Sequence, residues 1–224
     1  EWEEEVGRDD VKEVLVGMGV MAGSDGARVQ IAKAIDNLTA STDVARLMAC
    51  GGIKKALVRM GHGAGSDAAR GEICDVITNI ADLDGAAGVF SCEAVAAMLV
   101  EMGRRVGSDE GRAIVGSAIF LVAESVDVNG RRVMARDDVR DVLVAMGRDA
   151  GSDDAREAIA RAMWWIAGTE CETGHRVQIM AKGEVRDVLV AMGGGAGNDK
   201  ARDTVARAMW RISEGEKRAQ GDGE

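Results

Sequence analysis

An all-α solenoid is the fold class that this sequence predicts, and two observations carry the prediction. The pattern Leu-Val-x-Met-Gly occurs five times, starting at Leu15, Leu57, Leu99, Leu143 and Leu189, with spacings of 42, 42, 44 and 46 residues. A short loop follows each copy and leads to Ser24-Asp25, Ser66-Asp67, Ser108-Asp109, Ser152-Asp153 or Asn198-Asp199. A regular period of roughly 20–50 residues marks stacked repeats, in which each unit buries its apolar face against its neighbours.

Within a unit the apolar spacing is helical. Val11, Val14, Leu15 and Met18 fall at i, i+3, i+4 and i+7, and Val185, Val188, Leu189 and Met192 repeat that spacing. Gly19, Gly61, Gly103, Gly147 and Gly193 are expected to stop these helices, since glycine accepts the left-handed cap conformation. The Ser or Asn after the loop is an N-cap, and the Asp beside it faces the positive end of the helix dipole.

The helix that follows is expected to bury Ala27, Ile31, Ala34, Ile35 and Leu38 in the first unit. In the fourth, the same pattern gives Ala155, Ile159, Ala162, Met163 and Ile166. Ala32, Cys74, Gly116, Ala160 and Ala206 recur at one position, where a small residue lets two helices approach closely. A shorter helical stretch from Thr42 to Cys50 joins two units and is expected to end at Gly51-Gly52. Extra residues near Glu124–Gly130 and Gly168–His175 read as loop insertions that lengthen two of the spacings. The predicted core is Val11, Leu15, Ile31, Ile35, Leu57, Ile73, Ile77, Leu99, Ile119, Leu143, Ile159, Leu189 and Val205.

Composition agrees with helices. Proline, which would break them, is absent, and 30 glycines supply the interruptions. Hydrophobic residues are 46% and charged residues 29%, a folded and not a disordered balance. A net charge of −10 repels a phosphate backbone, so no nucleic-acid partner is expected. No apolar run reaches spanning length and no signal peptide is visible, so no membrane partner is expected either. The four cysteines, Cys50, Cys74, Cys92 and Cys171, form no CxxC pair. With only His62 and His175 to add, no zinc-ligand spacing exists, and no metal or cofactor is expected. Reduced thiols point to the cytoplasm or nucleus.

From Asn37 to Ala81 the chain resembles one armadillo repeat. Asn-Leu-Thr-Ala-Ser-Thr-Asp closes one unit, Cys-Gly-Gly-Ile-Lys-Lys-Ala-Leu-Val runs through the next, and Ser-Asp leads to Ile-Thr-Asn-Ile-Ala. The resemblance covers roughly residues 9 to 213. It implies a short, a medium and a long helix per unit, wound into a right-handed superhelix of about five repeats. The two-helix HEAT unit is the nearest rival. The expected boundaries are 9–41, 42–83, 84–127, 128–171 and 172–213, after an acidic lead-in or partial repeat helix at 1–8 and before a polar tail at 214–224.

In peptide-binding armadillo proteins the third helices present a ladder of Asn, with Trp four residues earlier. Here the Asn position reads Asn37, Asn79, Leu121, Trp165 and Arg211, and the earlier one Lys33, Asp75, Ser117, Arg161 and Arg207. The Asn stands in two copies and the Trp in none, so nuclear-import-type binding of basic peptides is not carried over. What the resemblance implies is a protein-binding scaffold and not an enzyme.

The third-helix groove is therefore the first candidate site. The Asn position and those one, four and seven residues before it share one edge of each long helix. In the last units that edge carries Arg161, Trp164, Trp165, Arg207, Trp210 and Arg211, just after Phe120 and Leu121. Trp and Arg dominate binding hot spots, and guanidinium groups pair with carboxylates, so an acidic or aromatic protein segment is the expected partner. Self-association, or continuation of a longer array, is the alternative.

Arg28, Arg70, Arg112, Arg156 and Arg202 each lie three residues after a helix-opening Asp and are expected to form a structural ladder between units. The loops Gly61-His62-Gly63-Ala64-Gly65 and Gly193-Gly194-Gly195-Ala196-Gly197 lack the preceding strand and the Gly-Lys-Ser/Thr of a phosphate loop. Cys171 and His175 are the one close Cys/His pair, with no third group to orient them.

Overall fold

A computed structural model of the chain describes residues 9–83, 87–124, 132–167 and 179–221. Among these residues there is no strand. The helices are α1 (Asp9–Met21), α2 (Asp25–Thr39), α3 (Thr42–Met48), α4 (Gly51–Gly63), α5 (Asp67–Ala81), α6 (Ala87–Phe90), α7 (Glu93–Arg105), α8 (Asp109–Glu124), α9 (Asp137–Arg148), α10 (Asp153–Ala167), α11 (Gly183–Gly195) and α12 (Asp199–Gly221). Residues 132–134 add a short helical turn before α9.

Two layers result. Helices α1, α4, α7, α9 and α11 stack in chain order, each on the next, and α2, α5, α8, α10 and α12 stack beside them in the same order. The short α3 and α6 fit a three-helix unit, as against the two-helix rival. Leu57, Leu99, Leu143 and Leu189 are fully buried between the layers, with Ile35, Ile73, Ile77, Ile119 and Ile159. One continuous core runs through the stack.

Each long helix is opened as its sequence suggests. The Ser24, Ser66, Ser108 and Ser152 hydroxyls and the Asn198 amide oxygen accept the backbone N–H three residues ahead, at 2.8–3.3 Å. Each bond satisfies one of the orphan donors at a helix start.

Several expectations differ. Val11 and Leu38 are only partly buried, Ala27 likewise, and Ala34 is exposed. Gly19, Gly61, Gly103, Gly147 and Gly193 lie inside their helices and do not end them. None adopts a left-handed backbone, and a Cβ at Gly103 would stand 2.7 Å from a Val142 methyl. These glycines are therefore close-approach sites between units (Gly19 to Ala56, Gly61 to Met98, Gly147 to Val188), and not caps. Gly51-Gly52 opens α4, while α3 already ends at Met48. The polar tail continues α12 as helix through Gly221. The segment at 1–8, most of both insertions, and the Cys171/His175 pair lie outside the described residues.

Candidate binding surface

The exposed edge of the second layer carries two unlike halves. Toward the C-terminal units, α8, α10 and α12 bring an aromatic and basic cluster together. The Arg161 guanidinium lies 4.1 Å from the centre of the Phe120 ring, and that of Arg211 lies 4.9 Å from Trp164. Trp165 meets Phe120 edge-on at 6.0 Å and Trp164 at 5.2 Å. The Trp165 indole N–H donates to the Ala123 carbonyl at 3.0 Å, at the end of α8. One such cation–π contact is worth about 0.5–1 kcal/mol where exposed, so the two together favour keeping the arginines over the rings. Phe120 is buried, Leu121, Trp164 and Trp165 are half-buried, and Arg161 is exposed. The tryptophans thus both pack against the core and present a face outward.

Two of the expected residues stand apart from this cluster. Arg207 pairs with Asp203 one turn back on α12 at 2.7 Å. Trp210, 64% exposed, lines a shallow pocket with Arg186, Leu189, Met209, Ile212 and Ser213.

Toward the N-terminal units the same edge is acidic. Asn79 donates to the Asp36 carboxylate at 2.6 Å, and Lys33 pairs with Glu72 at 3.3 Å. Asn37 and Asp75 are exposed. Although Asp75 keeps contact with solvent, the water it loses raises its pKa, and repulsion from Glu72, Asp36 and Glu110 raises it further. Asp36, Glu72 and Glu110 were not singled out from the sequence. Asp36 and Glu72 sit one and seven residues before an Asn position, so the wheel that selects Trp164 selects them too.

The arginine series binds within and between units. Each guanidinium holds the Asp three residues back, from Arg70–Asp67 at 2.7 Å to Arg156–Asp153 at 3.2 Å. Each of the first four of these aspartates also accepts backbone N–H from the next unit: Asp25 from Gly65, Asp67 from Gly107, Asp109 from Gly151 and Asp153 from Gly197. Burial alone would raise the Asp67 carboxyl, but hydrogen bonds from Ser108, Arg70 and Gly107 outweigh it and hold the pKa at about 2. The Gly65, Gly151 and Gly197 N–H groups lower Asp25, Asp109 and Asp153 in the same direction.

The glycine-rich loops serve this arrangement. A side chain at Gly63 would strike the Arg28 guanidinium, and one at Gly195 would crowd Arg156.

Among the described residues no group of three or more His, Cys, Asp or Glu could hold a metal ion. No helix among them is long and apolar enough to cross a membrane. Full burial pushes the Cys74 thiol far above its usual range, so it is no nucleophile at neutral pH.

No family model and no curated protein matches the sequence. Solved structures do match its shape. Designed armadillo repeat protein YIII(Dq)4CqI superposes with a TM-score of 0.70 at 18% identity, over 88% of this chain and 80% of that one. The fold is armadillo-like. A second designed armadillo repeat protein, YIII(Dq.V1)4CPAF in complex with peptide (KR)4, gives 0.70 at 19% identity over the same shares. An engineered structural-genomics target gives 0.71 at 17%, over 89% of this chain and 80% of its own. In armadillo terms, α2, α5, α8, α10 and α12 take the place of third helices, and both halves of the edge described above lie on that layer.

Proposed function

We propose that this armadillo stack is a protein-interaction scaffold that holds an extended or helical segment of a partner along its third helices. The observation that carries the reading is the polarised edge: Asp36, Glu72 and Asp75 at one end, Arg161, Trp164, Trp165 and Arg211 at the other. A segment that fits it has a basic block and an acidic or aromatic block. The carboxylates of the partner pair with guanidinium groups and its aromatic side chains stack on the tryptophans. A designed relative in shape carries a bound (KR)4 peptide, which supports an armadillo layer as a peptide platform. Here only the acidic half suits such a basic peptide.

The test is fluorescence anisotropy with three kinds of short peptide: all-basic, all-acidic with a tryptophan, and a basic joined to an acidic block, made in both orders. Tightest binding is expected for a two-block peptide, with loss of its acidic contribution on Arg161→Glu. Absence of saturable binding by all three removes the reading.

A further inference from the structure

The contacts that join neighbouring units are repeated four times inside the chain, and each outer end of the stack carries one unused half of them. On the first unit, Val14 is 60% and Met18 51% exposed. Their counterparts in the later units, Ala56, Met98, Val142 and Val188 for the one and Met60, Met102, Met146 and Met192 for the other, are at most 3% exposed. In every internal joint these side chains seat against a glycine of the preceding unit. A Cβ at Gly147 would lie 2.6 Å from Val188 and 3.1 Å from Met192. Among the described residues, Val14 and Met18 are thus knobs without a hole.

The fifth unit presents the hole. Gly193 has only Val205 of its own unit within reach, at 3.3 Å from a built Cβ. Ala206 is exposed, whereas Ala32, Cys74, Gly116 and Ala160 at the same position are all buried. Val190, three residues before Gly193 on α11, is 55% exposed.

The polar half of the joint is split in the same way. Asp25, Asp67, Asp109 and Asp153 each accept the backbone N–H of the glycine that opens the next Ser-Asp or Asn-Asp pair. Asp199, their fifth counterpart, has a side chain 99% exposed and is paired with Arg202 of its own helix. At the other end, Gly23 is the counterpart of those donor glycines, and open space surrounds it. Among the described residues, a carboxylate lacking its amide and an amide lacking its carboxylate therefore stand at opposite ends of the stack.

We infer that the occupant of each end is a second copy of this chain, with the fifth unit of one copy seated on the first unit of the next. Val14 and Met18 enter the site over Gly193, Gln30 comes to Ala206 as Ala158 comes to Gly116 inside the chain, and Asp199 receives the Gly23 N–H. The internal joints fix the geometry, because the same residue types already make this contact within the chain. Such an interface is heterologous, so each added copy presents a fresh end and assembly continues beyond a dimer. It uses the ends of the stack and does not depend on what the third helices hold.

Sedimentation velocity across a range from low to high micromolar tests it. The expected result is a mass that climbs with concentration and shows no plateau at twice the monomer. Met18→Glu closes the head and Ala206→Arg closes the tail. Both positions are exposed, so the fold should survive, and unchanged thermal melts at low concentration would verify that. Each variant alone should remain monomeric, and their mixture should form a one-to-one dimer and nothing larger, because it holds one matched pair of ends. A wild-type protein that is monomeric throughout overturns the proposal and leaves the two faces to neighbouring repeats of a longer chain. A dimer that survives Ala206→Arg but not Met18→Glu also overturns it, in favour of a head-to-head contact.

Discussion

Asp67 accepts the Gly107 backbone N–H at 3.2 Å while Arg70 of its own helix donates to it at 2.7 Å, so one carboxylate ties two consecutive repeats together. Its counterpart Asp199 makes only the local half of that arrangement. Hydrogen bonds to a charged group contribute about 1.5–3 kcal/mol each. Asp67→Ala should therefore lower unfolding free energy in urea by roughly 2 kcal/mol, while Asp199→Ala should change it by less than about 0.5 kcal/mol, the usual range for an exposed site. Equal losses in the two variants would mean that the cross-repeat bond contributes nothing.

Acid should loosen the stack through the same residues. Asp25, Asp67, Asp109 and Asp153 all have carboxyl pKa values lowered by folding, Asp67 from 3.8 to about 2. A depressed native pKa adds stability that is fully present above the unfolded value and disappears as pH falls through the native one. The melting temperature of the wild type should fall between about pH 4 and pH 2, and the Asp67→Asn variant should show a shallower fall across that window. Melts recorded at half-unit intervals of pH would show whether the two curves converge as acid is added.

Legibility of the sequence divides along sequence separation. The Ser24 cap and the Asp25–Arg28 pair are three residues apart and could be read directly. The contact from Asp25 to Gly65 spans forty positions, and nothing local announces it. The glycine of each Leu-Val-x-Met-Gly copy resembles a cap, because glycine at a helix end is common. Its position four residues after the buried leucine puts it on the same helix face, which is the packing role it has. Aromatic and basic residues of α10 and α12 could be grouped by a helical wheel. Which arginine covers which ring depends on neighbouring helices, so Arg161 and Arg211 lie over rings while Arg207 turns back to Asp203.

Two glycine substitutions should have opposite signs. Gly17, within α1, has nothing within 4 Å of a built Cβ, so Gly17→Ala should stabilise the protein by up to about 1 kcal/mol from helix propensity. Gly103→Ala gains the same propensity but drives a methyl into Val142. It should destabilise by about 1–3 kcal/mol, the usual range for overpacking. Thermal melts of the two variants beside wild type decide the matter, and stabilisation by Gly103→Ala would show that the joint between the third and fourth repeats is loosely packed.

Asp75 offers a case in which binding and stability should oppose one another. Loss of water raises its pKa, and Glu72, Asp36 and Glu110 add repulsion, so its charge costs the folded state energy at neutral pH. A raised native pKa means that the cost is absent at low pH and appears as pH rises through that value. Asp75→Asn should therefore raise the melting temperature at pH 7, and the gain should vanish below the unfolded carboxylate value near pH 4. The same change removes one charge from the acidic half of the third-helix edge, so it should weaken capture of a peptide's basic block. A rise in stability with an unchanged affinity would detach Asp75 from the binding surface. A fall in stability at pH 7 would mean that its neighbours do not strain it. The combination expected here, a more stable protein that binds less well, is what a residue kept for its charge should give.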